Sequence, residues 1–419
     1  MEKLEITGNK KISGIVKISG SKNATLPILV STILADKKVI IKNIPIVKDV
    51  LTMVELLRTL GSSVKLDKKK KIIEILNKKR LKTFAPYHLL RKMRAGVLVL
   101  GPLLAKYGNA KVSLPGGCAI GSRPVNFHLD ALKKMGAKIK IKNGYIIASA
   151  KNGLKGCSIK FSKISVGATE NILIAACFAS GETKLKNCAL EPEIIDLISF
   201  LKKIGCRIEL VGKRAINIKG VKYLKSAVHK VIFDRIEAGT YIIAAALTKG
   251  NLKIKNIDPN IMLTEISLLK KMGVKIERKK KYLTVSRKGK LKSINIVTKP
   301  YPGFPTDLQA QIMVLMIKSE GVSNIKEGIF ENRFMHVSEL RRMGAQIETN
   351  GNKAKIFGNK SLTGAELMAT DLRASVCLVL AGLVSSNKTI VNRIYHLDRG
   401  YEKIEDKLLN CGAQIKRLK

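Results

Sequence analysis

A single thiol set among glycines is the most reactive-looking feature of this chain. Cys118 lies in the stretch Leu114 to Pro124, behind Gly116 and Gly117 and ahead of Gly121, with Arg123 and Pro124 closing the segment. Three glycines around one cysteine make a loop that can bend or swing. A thiol there, next to a guanidinium, suits a proton donor or nucleophile better than a core residue. The other six cysteines, at 157, 177, 188, 206, 377 and 411, form no CxxC pair and no disulfide spacing. That fits a reducing compartment. The five histidines are scattered without an HExxH, so no zinc site is expected. His128 is expected two turns into the next helix, so Cys118 lacks the histidine a hydrolase would need.

A second set of polar residues recurs at two kinds of place. Lys22 and Asn23, Arg94, Ser165, Asp234 and Arg235, Asp307, and Arg373 stand at the starts of small-residue apolar stretches. Cys118 and Arg123, Arg333, and Arg399 stand in loops that lead into amphipathic helices. Such a set, rich in Arg and Lys with one or two aspartates, suits a polyanion. Guanidiniums in fixed forks bind carboxylate and phosphate, and helix N-termini add positive potential. Gly14 to Lys22 is not a phosphate loop, because Ser21 breaks the required Gly-Lys pair.

The elements that must position these residues repeat. A helix end followed by glycine and a strand occurs six times, at Gly61, Gly136, Gly205, Gly273, Gly344 and Gly412, spaced 75, 69, 68, 71 and 68 residues apart. Even spacing over a whole chain marks repeated supersecondary units. Each glycine sits where a helix C-cap needs a left-handed residue. Alternating residues follow, as in Lys138 to Lys142, and Asn143-Gly144 then signals a hairpin. Apolar helices expected at 171–180, 241–248 and 373–384 should be buried on every side. The unit reads helix, strand, helix, strand, strand. The sixth copy ends early, and the spare strands of residues 1–21 are expected to complete it. The fold class is therefore α/β, with two similar inside-out α/β barrels of three units each. One is expected over 22–233, the other over 1–21 plus 234–419, with a ligand in the cleft between them.

Composition narrows the partners. The formal charge is +47 over 419 residues, with 78 Lys and Arg against 31 Asp and Glu. The lysines run along the whole chain, and the dense runs Lys68 to Lys71 and Arg278 to Lys281 fall at expected hairpin turns. Tryptophan is absent and aromatics are 5%, which leaves little to stack on bases. Attraction of small anions is the more natural use of this field, and no specific nucleic-acid partner is expected. No apolar run reaches the ~18 residues of a membrane span. The start lacks the basic-then-apolar pattern of a signal peptide, and a cytoplasmic location is expected.

With these residues in place, the chain resembles the enolpyruvyl transferases over its full length, and in particular the branch whose acceptor is UDP-N-acetylglucosamine. The likeness rests on Gly20-Ser21-Lys22-Asn23-Ala24, Leu114 to Pro124, Lys163 to Thr169 and Asp234-Arg235-Ile236-Glu237. It continues in Tyr301 to Asp307, Phe330 to Phe334, Asp371 to Ala374 and Asp398 to Tyr401. The resemblance implies a fold of six repeated units and transfer of the enolpyruvyl group of phosphoenolpyruvate to the 3'-hydroxyl of the nucleotide sugar. Phosphate would leave by addition then elimination, with no metal or organic cofactor, at the opening of peptidoglycan synthesis.

By resemblance, Cys118 is the proton donor, carries a possible covalent adduct with phosphoenolpyruvate, and rides on a lid. Asp307 is the base or orienter at the sugar hydroxyl. Lys22, Arg123 and Arg399 hold phosphate, Arg333 and Arg373 hold carboxylate, and Asn23 and Arg94 line the site. Arg123, Pro124, Val125, Asn126 and Phe127, with Lys163, Ser165, Val166, Gly167 and Ile329, contact the nucleotide sugar. The family usually has aspartate where Asn126 stands, so size and hydrogen bonding are kept while the charge is lost. The thiol makes sensitivity to an epoxide such as fosfomycin an expectation. The alternatives are a transferase for shikimate 3-phosphate and a non-catalytic polyanion binder on the same fold.

Overall fold

The computed structural model describes residues 2–78, 80–114 and 125–419. All six repeat glycines adopt positive φ, between 89° at Gly412 and 110° at Gly61. A side chain in that region costs about 1–2 kcal/mol, which explains why glycine ends each outer helix. The outer helices are Lys48–Leu60, Asn126–Lys134, Pro192–Lys203, Leu263–Lys271, Val337–Arg342 and Ile404–Leu409.

The inner helices carry the cores. Arg235–Leu247, Gln309–Ile317 and Leu372–Gly382 are buried at every position. Val166–Ala176 is buried from Ala168 onward. Small residues allow close approach. A Cβ on Gly101 would lie 2.1 Å from Asn171 Oδ1, and one on Gly239 would lie 2.6 Å from Leu308. The helix expected over 171–180 runs instead over Val166–Ala176, because Ser165 caps it at the earlier start.

Among the described residues, six four-stranded sheets lie outside the inner helices. In the second repeat the order is Phe84–Ala85, Asn109–Ser113, Tyr145–Ser149, Lys138–Lys142. The first pair is parallel and the others antiparallel. The parallel edge strand is an addition to the unit read from sequence; at two residues it is too short to leave a period. The expectation for the N-terminus needs a second correction. Lys3–Thr7 pairs with Lys388–Asn392 and Gln414–Leu418 and completes the sixth sheet. Ser13–Lys17 instead pairs in parallel with Asn251–Lys255 in the fourth. Ala227–Lys230 pairs with Val39–Lys42 and supplies the edge of the first.

The chain divides into two compact units. One holds the described residues from Gly20 to Ile232, and the other holds residues 2–19 with Phe233–Lys419. Each has its own apolar core. The fold class read from the repeats is the one observed.

Candidate active site

In the first unit, Ser21 caps the helix Lys22–Ser31, its hydroxyl accepting from Ala24 N at 3.3 Å. That cap places half-buried Lys22 and Asn23 in the first turn. Lys22 Nζ lies 3.3 Å from Oδ2 of buried Asp49, in the first turn of the neighbouring outer helix. Arg94, also half-buried, opens the turn Arg94–Val99. Ser165 caps the helix Val166–Ala176 and accepts from Ala168 N at 3.3 Å, with Lys163 and Val166 exposed beside it.

His128 joins two segments. It is the third residue of its helix, earlier than expected, and follows half-buried Val125 and Phe127 and exposed Asn126. A Cβ on Gly167 would lie 3.4 Å from its ring, so Val125 to Phe127 and Lys163 to Gly167 meet there. Gly101 N donates to Asn171 Oδ1 at 2.9 Å, so the Asn171 amide donates to His128 Nδ1 at 3.0 Å. Nδ1 is then the acceptor and Nε2 carries the proton. Burial pushes the imidazole down to about 4, so the ring is neutral. Cys118, Arg123 and Pro124 lie outside the described residues.

In the second unit Asp307 gathers two arginines. Arg333 Nη2 donates to Oδ1 at 2.8 Å and Arg373 Nη2 to Oδ2 at 2.5 Å. Both guanidiniums are buried, while Asp307 is 26% exposed. Burial opposes the charge on Arg373, and the Asp307 carboxylate, with Tyr401 and Asp234, outweighs that and raises its pKa. Arg333 Nη1 is buried with no hydrogen-bond partner among the described residues. A buried guanidinium edge of this kind suits an anionic ligand as its acceptor.

Neighbouring elements hold this cluster. Asp371 caps the helix Leu372–Gly382, accepting from Arg373 N at 2.8 Å, and so fixes Arg373 in the first turn. Tyr401 OH lies 3.5 Å from Arg373 Nη1 and 2.8 Å from Thr240 Oγ1. Burial pushes the Tyr401 phenol up to about 12, so it remains neutral. Glu327 Oε1 accepts from Ile329 N at 2.8 Å, and Oε2 from Thr306 Oγ1 at 3.0 Å. One carboxylate thereby ties the Asp307 turn to the loop carrying Ile329 and Arg333. Arg399, half-buried, ends the turn Ile394–Arg399. Its neighbour Asp398 is gripped by Arg417 at 2.7 and 3.2 Å, and Arg417 also reaches Glu405 at 2.8 Å.

Two of the recurring polar residues brace their own unit. Asp234 caps Arg235–Leu247, accepting from Ile236 N and Glu237 N at 2.9 and 3.0 Å. Arg235 forms a buried ion pair with Glu265 at 3.0 Å. Sequence reasoning missed Asp49, Glu327, Tyr401 and Arg417. Of these, only Tyr401 sat inside a quoted motif.

Residues 6–408 match the family model of EPSP synthase (3-phosphoshikimate 1-carboxyvinyltransferase). The chain belongs to this enolpyruvyl transferase family. It is 60% identical over 418 residues to the UDP-N-acetylglucosamine 1-carboxyvinyltransferase of Pelagibacter ubique, covering 100% of both chains. It is 54% identical over 420 residues to that of Rickettsia felis, again covering 100% of both. The enolpyruvyl transferase NikO of Streptomyces tendae superposes with a TM-score of 0.91 at 24% identity, covering 99% of this chain and 98% of that one. EPSP synthase of Acinetobacter baumannii superposes at 0.78 with 18% identity, covering 100% of both. These two likenesses concern the fold. The chain is thus a transferase. No helix among the described residues is long and apolar enough to cross a membrane.

Proposed function

We propose that this enzyme transfers the enolpyruvyl group of phosphoenolpyruvate to the 3'-hydroxyl of UDP-N-acetylglucosamine and releases phosphate. The observation that carries the reading is 60% identity, end to end, with a curated enzyme named for that acceptor. The chemistry is addition then elimination. The phosphoenolpyruvate methylene takes a proton from the Cys118 thiol as the sugar oxygen bonds to the adjacent carbon. Asp307 orients the hydroxyl and takes its proton. Loss of a proton from the new methyl group then expels phosphate and restores the double bond.

Arg333 and Arg373 receive the substrate carboxylate, Arg333 Nη1, which has no hydrogen-bond partner among the described residues, being the donor ready for it. Their present partner is the Asp307 carboxylate. A substrate carboxylate would share or replace that partnership, leaving Asp307 freer to act on the hydroxyl. Lys22, Arg123 and Arg399 hold the phosphate. Arg94, Val125 to Phe127, Lys163 to Gly167 and Ile329 hold the nucleotide sugar. We infer a cytoplasmic reaction that supplies the cell-wall precursor on which cell shape and division depend.

Phosphate release from phosphoenolpyruvate tests the reading, with either UDP-N-acetylglucosamine or shikimate 3-phosphate as acceptor. Release with the nucleotide sugar alone is expected. Release with shikimate 3-phosphate alone would move the enzyme to the other branch of its family.

A further inference from the structure

The transferase reaction leaves the +47 charge unexplained, and the fold does not distribute it evenly. Between residues 75 and 169 the only carboxylate is Asp130, against nineteen lysines and arginines. This acid-poor stretch forms the second repeat and its sheet. On the outward face, alternate residues of the edge strand present exposed Lys138, Lys140 and Lys142. The next strands add Tyr145, exposed Lys111 and Phe84, the last 43% exposed. The Phe84 and Tyr145 ring centroids are 5.6 Å apart, and Lys111 Nζ lies 5.3 and 5.0 Å from them.

The other repeats provide the comparison. Four of the five equivalent edge strands carry an outward carboxylate: Asp67, Glu209, Glu277 and Glu348. Lysines on an edge strand guard against strand-to-strand aggregation, which would account for Lys138 to Lys142. It does not account for Lys111 on an interior strand, or for exposed Phe84 and half-buried Tyr145 beside it.

We propose that this sheet face binds single-stranded nucleic acid, without sequence preference, as a second activity of the enzyme. Lysines at two-residue spacing on one face recur about every 6.7 Å and track a phosphate backbone. The paired rings offer a platform on which unpaired bases stack. The rings favour a single strand, because a duplex hides its base faces.

The test is fluorescence anisotropy of a labelled oligothymidylate, titrated with the full chain across a potassium chloride series. The variant pair K140S/K142S should weaken binding and lower the slope of log affinity on log salt by about 1.4. F84A and Y145A should each weaken binding about fivefold or more with the slope unchanged. The charge-matched pair K275S/K279S, on the fourth repeat's edge strand, should leave binding unchanged. All variants should keep the parent's melting temperature and phosphate release. Equal weakening by the two lysine pairs would overturn the proposal and leave only diffuse charge attraction. So would indifference to loss of the rings, or tighter retention on phosphatidylglycerol vesicles than on the oligonucleotide.

Discussion

Removing the Asp307 carboxylate strands two guanidiniums at once. Arg333 and Arg373 are 4% and 9% exposed and each donates to a different oxygen of Asp307. Breaking a buried ion pair by deleting one partner costs about 3–5 kcal/mol. Asp307 is a quarter exposed, so water can reach the gap. The lower end, about 3 kcal/mol, is the appropriate figure for Asp307→Ala. For a unit of this size that lowers the melting temperature by about 6–12 °C. Asp307→Asn keeps the shape and one acceptor, and should lose about half as much. Both should slow phosphate release at least about 100-fold if Asp307 handles the hydroxyl proton. The assay is thermal unfolding followed by circular dichroism, with and without millimolar acetate. Acetate should return part of the lost stability to the alanine variant by occupying the arginines. An alanine variant that melts within about 2 °C of the parent, or ignores acetate, would refute the claim that this carboxylate holds the pair.

Three other outcomes follow from the geometry. The pKa of His128 is lowered by burial to about 4, so between about pH 6.5 and 4 the unfolded chain binds a proton that the fold refuses. Its contribution is therefore intact above pH 6.5 and lost as pH falls toward 4, by up to about 3 kcal/mol. Against His128→Asn, the parent's urea midpoint should fall further between pH 7 and pH 4.5, and parallel curves would contradict this. Arg417→Met releases Asp398 and Glu405 from the sixth repeat's loop. It should raise the KM for phosphoenolpyruvate several-fold through Arg399 while leaving that for the nucleotide sugar nearly unchanged; equal changes in both would point to general loosening. Cys118→Ser should lower turnover and abolish alkylation by fosfomycin, and a parent enzyme that stays unalkylated and active after exposure would count against the thiol's assigned role.

Much of the architecture was written in local chemistry. Six glycines that must adopt positive φ have a period readable without a structure. Apolar all-round helices announced their own burial. What escaped was non-local. Ser13–Lys17 and Ala227–Lys230 each pair with a sheet whose other strands lie elsewhere in the chain, and alternation cannot say which edge a strand will choose. The site divided in the same way. Lys22 and Arg373 stood out because they occupy the first turns of apolar helices, and Asp307 because it lies in the turn leading into one, where a charged residue has no packing reason to be. The same signal flagged Asp234 and Arg235, which cap and brace their helix. Glu327 and Arg417 act through partners about 20 residues distant, Thr306 and Asp398, and nothing local marks such a pairing.

Running the reaction in deuterium oxide and analysing the nucleotide product by mass spectrometry and proton NMR tests the central claim most directly. Addition then elimination through a methyl group predicts an enolpyruvyl ether on the sugar 3'-oxygen, with deuterium in its methylene. An ether free of deuterium would contradict that route, and phosphate release with no ether formed would contradict the transferase reading itself.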